Sequence, residues 1–333
     1  MKIAFLGCGA WATALAYVLG KNKVGDIVLY GRPEDSIEDI NEKHTNTRFY
    51  PDVVLPKCIK ATTDAKEAIE DAELLVLAVP SVAIPSIVPL IEEHANKNPL
   101  LVNVIKGFDP KTGEGISSSL KKALGPNVPI QGIVSLVGPS FADDVIHDDL
   151  TAVCAVSEDE LKARRVQTLF SSASFRVYVQ QDVIGAEIGA GMKNIIAIAS
   201  GALEGLGYTE NARAALITRG LAEMTRFGLA RGAKASTFLG LTGVGDLTLT
   251  SSSIRSRNYS LGYQIGKADE AAPVLAANKK TVEGVVACKT IHSISKEIGV
   301  ETPIVDAVYS VLYEEEKPSI AIRGLMLRSL KKE

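Results

Sequence analysis

The sequence has little from which to build a metal site or a disulfide framework. Four cysteines (Cys8, Cys58, Cys154, Cys288) and four histidines (His44, His94, His147, His292) are scattered through 333 residues. No Cys-x-x-Cys or His-Glu-x-x-His spacing occurs, so a zinc ribbon, a secreted disulfide scaffold and a metal centre are not expected. The formal net charge is only −3. That is the wrong balance for a basic surface that neutralises nucleic-acid phosphates, and nucleic acid is not an expected partner. Hydrophobic residues make up 46% and charged ones 23%, which excludes wholesale disorder. The opening run IAFLGCGAWATALAYVLG (3–20) mimics a short signal peptide. Gly7 and Gly9 interrupt it, and it reads better as a buried strand, a glycine turn and a helix. Beyond it we expect no stretch of about 18 apolar residues of the kind that spans a bilayer. The expectation is a soluble, cytoplasmic chain without a transmembrane segment.

The length suggests two domains, at about 100–200 residues each. In the first half, short apolar runs alternate with helical patterns. Strands are expected at Lys2–Leu6, Asp26–Tyr30, Glu73–Val79, Leu100–Ile105, Ile133–Val137, Thr151–Val156 and Phe175–Tyr178. Helices are expected at Trp11–Leu19, Pro33–Lys43, Asp64–Asp71, Ser81–His94 and Glu158–Phe170. Near-continuous apolar strands between helices predict a parallel sheet covered on both faces, the doubly wound α/β pattern. From about residue 181 strand signals vanish. Helices are expected at Val183–Leu203, Asn211–Arg231, Tyr259–Ala268, Val282–Ile298 and Thr302–Glu314. The reading is thus a doubly wound α/β domain over 1–180, followed by an all-α domain over 181–333.

Gly7-Cys8-Gly9-Ala10-Trp11-Ala12 stands between the first strand and the first helix. It has the G-x-G-x-x-A form of the dinucleotide fingerprint. Gly7 allows the tight turn, Gly9 lets a pyrophosphate approach the backbone, and Ala12 keeps helix and sheet close. The helix N-terminus then offers unpaired N–H groups to phosphate. At the end of the second strand an NAD site usually places a carboxylate for the ribose 2′-hydroxyl. Here the chain reads Tyr30-Gly31-Arg32. Arg32 suits a 2′-phosphate, which favours NADP(H) over NAD(H); the bland reading is a solvated arginine. Lys106 leaves a buried strand toward the carboxyl edge, either as an active-site cation or as an ordinary surface lysine. Gly138-Pro139-Ser140 follows another strand as a turn with a free hydroxyl.

In the helical half, Gly185 and Gly189 share a helix face and permit close packing. Lys193 follows inside an apolar, small-residue segment. Burial lowers a lysine pKa, which makes a better proton donor near neutral pH; the alternative is a lysine that snorkels out of an interface. The loop Gly240–Gly245 ends in Asp246, a carboxylate near a helix start. Ser256-Arg257-Asn258 supplies a guanidinium fork with neighbouring donors.

Taken together these segments resemble the NAD(P)-dependent glycerol-3-phosphate dehydrogenases of the bacterial type. The stretches that carry the likeness are GCGAWATALA (7–16), NVIKGF (103–108), VGPSFA (137–142), the block 187–233, TFLGLTGVGDLTLT (237–250), SRNYSLG (256–262) and VEGV (282–285). The resemblance implies a Rossmann-type N-terminal domain and reversible reduction of dihydroxyacetone phosphate to sn-glycerol 3-phosphate, the precursor of glycerophospholipids. It implies Lys193 as proton donor, with Lys106 and Asp246 in the catalytic set. It implies substrate contacts from Lys106, Gly138, Ser140, Lys193, Asp246, Ser256, Arg257 and Asn258. It implies cofactor contacts from Gly7, Gly9, Ala10, Trp11, Arg32, Lys106, Ala142, Arg257 and Glu283. A homodimer is implied as well. The chain departs from the family at Ala12, where glycine is commoner, at Ser251, where cysteine is commoner, and at Asp143-Asp144. The stretch 46–51 (NTRFYP) follows the family's N-x-x-aromatic-L-P pattern only loosely. Two other readings are a sister reductase acting on another hydroxy acid or phospho-sugar, and a nucleotide sensor without turnover.

Overall fold

The computed structural model describes all residues except 110–112, 127, 279, 280, 331 and 333. Its contacts divide the chain into two units. The first comprises Met1–Ile105 and Glu114–Val183, the second Lys106–Gly113 and Ile184–Glu333.

The first unit is an eight-stranded sheet. Its strands are β1 (Lys2–Leu6), β2 (Asp26–Tyr30), β3 (Ile59–Thr62), β4 (Leu74–Leu77), β5 (Leu100–Asn103), β6 (Gly132–Val137), β7 (Thr151–Val156) and β8 (Phe175–Gln180). They lie in the order β3-β2-β1-β4-β5-β6-β7-β8, all pairings parallel except β6 with β7. Among the described residues, six α-helices cover it: α1 (Ala10–Lys21), α2 (Ala65–Ile69), α3 (Ile84–His94), α4 (Ile116–Leu124), α5 (Ala142–Ile146) and α6 (Glu160–Phe170). Strand alternation sends Ile3 and Phe5 to one face, with α1, α5 and α6, and Ala4 and Leu6 to the other, with α2, α3 and α4. Both faces of β1 are therefore fully buried, as its apolar run requires. The chain leaves β1 on one side for β2 and β3 and on the other for β4. That switch point is where open α/β sheets bind ligands, at the carboxyl ends of their strands.

Several local expectations need correction. The sheet is not wholly parallel, because β7 returns antiparallel to β6. The sequence reading missed β3, four residues with Lys60 outward. Pro33–Lys43 is not one helix. Asp35 folds back to accept the Arg32 N–H, so the helix begins only at Ile37 and ends in a wide turn over Asp39–Lys43. A short polar side chain that bonds its own backbone competes with helix formation in this way. Helices α4 and α5 were also not anticipated.

The second unit is helical: α7 (Val183–Gly205), α8 (Glu210–Ala230), α9 (Ala235–Phe238), α10 (Asp246–Ser251), α11 (Arg257–Ala268), α12 (Ala272–Ala277), α13 (Glu283–Glu297), α14 (Pro303–Tyr313) and α15 (Pro318–Met326). Contrary to expectation, α7 is long and apolar enough to cross a membrane, but 83% of its apolar window is buried within the protein. Its glycines explain the tight fit around it. A Cβ at Gly201 would lie 2.0 Å from the Tyr259 carbonyl oxygen, and one at Gly262 would lie 2.0 Å from that of Ile198. Helices α7 and α11 thus meet backbone to backbone. Each glycine costs about 1 kcal/mol of helix propensity, a loss the close contact offsets.

Candidate active site

The second unit brings three of the expected residues together. Gly189 and Lys193 lie one turn apart on the same face of α7. The loop before α10 seats its Thr242 carbonyl on Gly189, so closely that a Cβ there would stand 2.1 Å from the oxygen. Docking this loop delivers Asp246, the first residue of α10, to Lys193. Lys193 Nζ donates to Asp246 Oδ1 at 2.5 Å, with both side chains nearly inaccessible. Asp246 Oδ2 has no hydrogen-bond partner among the described residues, and Lys106 Nζ lies 4.0 Å from it. Phe108 fixes the segment that carries Lys106, because its ring fills the space a side chain at Gly191 would take.

The electrostatics follow from this geometry. Burial pulls the Lys193 ammonium down from its ordinary 10.5 to about 8. Asp246 pulls upward against that fall, and the Lys106 charge reinforces it. The Arg257 guanidinium is held by Glu283 at 2.5 Å on the half-exposed start of α11. Ser256 caps α11, its Oγ accepting the Tyr259 N–H at 3.3 Å. Asn258 is buried and engaged at both ends. It donates to Asn194 Oδ1 at 3.0 Å and accepts the Gly284 N–H at 2.8 Å. These bonds join α7, α11 and the start of α13, where Glu283 stands.

The first unit carries the remaining candidates. Gly7 has φ +124°, and a Cβ there would lie 2.4 Å from the Ala78 carbonyl oxygen, so only glycine fits. Gly9 faces open space with nothing within 4 Å of its Cβ position. It precedes α1 without any side-chain cap, so the N–H groups of the first turn have no capping partner from it. The neighbouring Trp11 indole Nε1 is buried with no hydrogen-bond partner among the described residues. A bare backbone cradle at an uncapped helix N-terminus suits a dinucleotide pyrophosphate. Arg32 follows β2, half-turned onto Glu34 and Asp35. Gly138 (φ +156°) and Ser140 form the turn after β6, where Ser140 Oγ donates to the Gly138 carbonyl at 3.2 Å. Ala142 opens α5 beside the α1 face of the sheet.

The sequence reading missed how firmly residues 46–50 are tied to the dinucleotide turn. Asn46 Nδ2 donates to Thr13 Oγ1 at 2.9 Å and to the Cys8 carbonyl at 3.3 Å. The Tyr50 hydroxyl donates to the Ala10 carbonyl at 3.2 Å. The asparagine and aromatic of the loosely matched N-x-x-aromatic pattern were the available signal.

Comparison with known proteins decides the family. Residues 2–163 match the model for the NAD-dependent glycerol-3-phosphate dehydrogenase N-terminus, and 182–323 match that for its C-terminus. The chain belongs to the NAD-dependent glycerol-3-phosphate dehydrogenase family. A relative from Enterococcus faecalis named glycerol-3-phosphate dehydrogenase [NAD(P)+] is 42% identical over 332 residues, covering 100% of this chain and 97% of the relative. One of the same name from Limosilactobacillus reuteri (strain DSM 20016) is 43% identical over 335 residues, covering 100% and 98%. Among solved structures, a glycerol-3-phosphate dehydrogenase from Coxiella burnetii superposes with a TM-score of 0.89 at 31% identity, covering 98% of this chain and 99% of that one. Membership makes the chain an NAD(P)-dependent oxidoreductase, and its Rossmann-type sheet followed by a helical unit agrees with the family's architecture.

Proposed function

We propose that this chain reduces dihydroxyacetone phosphate to sn-glycerol 3-phosphate, reversibly, with NADP(H) preferred and NAD(H) accepted. The observation that carries the reading is the buried Lys193–Asp246 pair with Lys106 beside it, in a chain of this family. When bound, the nicotinamide supplies the hydride to the substrate carbonyl carbon. Lys193 Nζ donates its proton to the carbonyl oxygen. At a pKa of about 8 it is mostly protonated near neutral pH yet gives the proton up more readily than an ordinary lysine. In the reverse direction the neutral amine takes the proton from the hydroxyl. Asp246 orients the ammonium, and Lys106 stabilises negative charge developing on the oxygen.

Arg257 takes the substrate phosphate, with the Ser256 hydroxyl and the one Asn258 amide hydrogen not given to Asn194 beside it, and Gly138 and Ser140 take its remaining oxygens. Arg257 must then exchange Glu283 for the ligand, which is feasible for a half-exposed pair. In the same reading Gly7, Gly9, Ala10, Trp11 and Ala142 hold the dinucleotide backbone. Arg32 takes its 2′-phosphate, and Lys106, Arg257 and Glu283 contact the cofactor as well. The product serves glycerophospholipid synthesis in the cytoplasm.

We also propose a homodimer. An apolar cavity of about 1010 Å³ in the helical unit, lined by residues such as Leu203, Leu216, Val308 and Ile322, supports it, as do the exposed side chains of Met326 and Leu327. Light scattering that returned a monomer mass would refute the dimer. The activity is tested by following oxidation of NADPH and NADH with dihydroxyacetone phosphate, and with ketopantoate and 6-phosphogluconate as controls. Turnover of a control alone would replace the substrate assignment. Nucleotide binding without any turnover would favour a sensor.

A further inference from the structure

Beyond β2 the chain builds a charge cluster of which the proposed site includes only Arg32. Gly31 lies so close to the dinucleotide turn that a Cβ would stand 2.8 Å from the Cys8 Cβ and 3.3 Å from the Asp35 Cβ. Asp35 is therefore pinned beside that turn. Its side chain is only 12% exposed, and it gathers two arginines that are themselves largely exposed. Arg32 donates its backbone N–H at 2.9 Å, and its Nε and Nη2 each at 3.4 Å. Arg48 Nη1 donates from the other side at 3.1 Å. Burial raises the Asp35 pKa, but the Arg32 N–H and the two guanidiniums outweigh it and hold the carboxyl below its ordinary range.

Arg48 is not a stray surface residue. It sits midway along a turn closed by the Tyr50 N–H to the Asn46 carbonyl at 2.8 Å. Both ends of that turn are bonded to the dinucleotide loop, Asn46 to Cys8 and Tyr50 to Ala10. A guanidinium anchored on both flanks to the pyrophosphate loop lies at the adenosine-ribose end of a Rossmann site, where a 2′-phosphate is read. Two guanidiniums around one carboxylate are the arrangement a phosphate dianion would take over.

Resting on the cofactor reading above, we propose that Arg48 is a second 2′-phosphate ligand beside Arg32, and that Asp35 opposes it by holding both guanidiniums until the phosphate displaces it. Selectivity between the two nicotinamide cofactors is then a competition between an internal carboxylate and the ligand's own anion. NADH, lacking that anion, leaves the cluster closed.

The test is a fluorescence titration of Trp11, the only tryptophan, which lies in the dinucleotide turn. NADPH and NADH are titrated separately into the wild-type protein, Arg48→Ala and Asp35→Asn. Arg48→Ala is expected to weaken NADPH about tenfold, the loss of one charge-assisted hydrogen bond, and NADH by less than about twofold. Asp35→Asn is expected to raise the NADPH-to-NADH affinity ratio, because a negative charge facing the phosphate is gone. Equal weakening of both nucleotides by Arg48→Ala, or no weakening of either, would overturn the assignment of Arg48. An unchanged or lowered ratio in Asp35→Asn would overturn the competition. A wild-type protein that bound neither nucleotide would overturn the cofactor reading, and the cluster with it. Wild-type binding of both keeps these failures distinct.

Discussion

Replacing Asp246 by asparagine tests the proton chemistry most directly. Asparagine keeps an acceptor where Oδ1 receives the Lys193 proton at 2.5 Å. Its amide nitrogen takes the place of Oδ2, which accepts no hydrogen bond among the described residues. The change is close to isosteric and removes mainly charge. Removing one partner of a buried ion pair typically costs about 3–5 kcal/mol. Here that loss falls on the ammonium form of Lys193. At about 1.4 kcal/mol per pH unit it moves the proton equilibrium by two or more decades. A pKa of about 8 in the wild type would fall below neutrality. Lys193 would then be mostly deprotonated at neutral pH, and the reductive kcat/KM there should drop about tenfold or more. Reduction needs the protonated lysine. In the wild type it should therefore hold below about pH 8 and fall above it, while oxidation should rise through the same range. In Asp246→Asn the reductive profile should slide to lower pH, with part of the rate recovered on acidification. The measurement is kcat/KM against pH in both directions, followed by nicotinamide absorbance. A variant whose reduction still fell away near pH 8 at an undiminished neutral rate would refute the coupling of Asp246 to Lys193.

Lys193→Ala should abolish turnover while leaving NADPH binding nearly intact, as read by Trp11 fluorescence; equal loss of both would remove the lysine from the chemistry. Arg257→Ala should raise the KM for dihydroxyacetone phosphate strongly, and an unchanged KM would sink its role as phosphate clamp. Gly189→Ala forces a methyl group against the Thr242 carbonyl. It should lower stability by about 1–3 kcal/mol in denaturant unfolding and cut kcat, since the displaced loop carries Asp246. Glu223 is buried on α8, and burial lifts its carboxyl to about 7 although the Ile304 and Val305 N–H groups pull it down. Because its folded pKa lies above the ordinary 4.5, its contribution to stability is full below about pH 4.5 and lost as the pH rises through about 7. Glu223→Gln should flatten that part of the stability profile in thermal unfolding, and an unaltered profile would refute the assignment.

Much of this was legible because it rests on periodicity and small residues. The apolar runs of β1 and β4 announce strands buried on both faces, and Gly7 announces a turn that no other residue can make. The apolar surroundings of Lys193 predict its burial and hence its lowered pKa. What the sequence hid depends on partners distant along the chain. Nothing near Arg257 says that Glu283, across a helix boundary, will hold it. Asn258 looked like a free donor until Asn194 and Gly284 were found to occupy its amide. Nothing in the sequence around Asp35 names its partners, yet its side chain accepts the Arg32 N–H, delays the helix expected from Pro33 and gathers two arginines.

The segment Lys106–Gly113 belongs to the helical unit although sheet residues flank it on both sides in sequence. The chain therefore passes from one unit to the other at three points, after Ile105, Gly113 and Val183. No single cut separates the two units. A fragment beginning at residue 184 lacks Phe108, whose ring packs over Gly191, and it lacks Lys106. Such a fragment would start with a hole in its core, worth about 3–5 kcal/mol for a missing phenylalanine. During synthesis Phe108 emerges well before α7 exists to receive it. A C-terminal fragment that starts at α7 should therefore be less stable than the same unit in the full chain. An insertion between β5 and α4 that displaced Phe108 would loosen α7, a helix far along the chain.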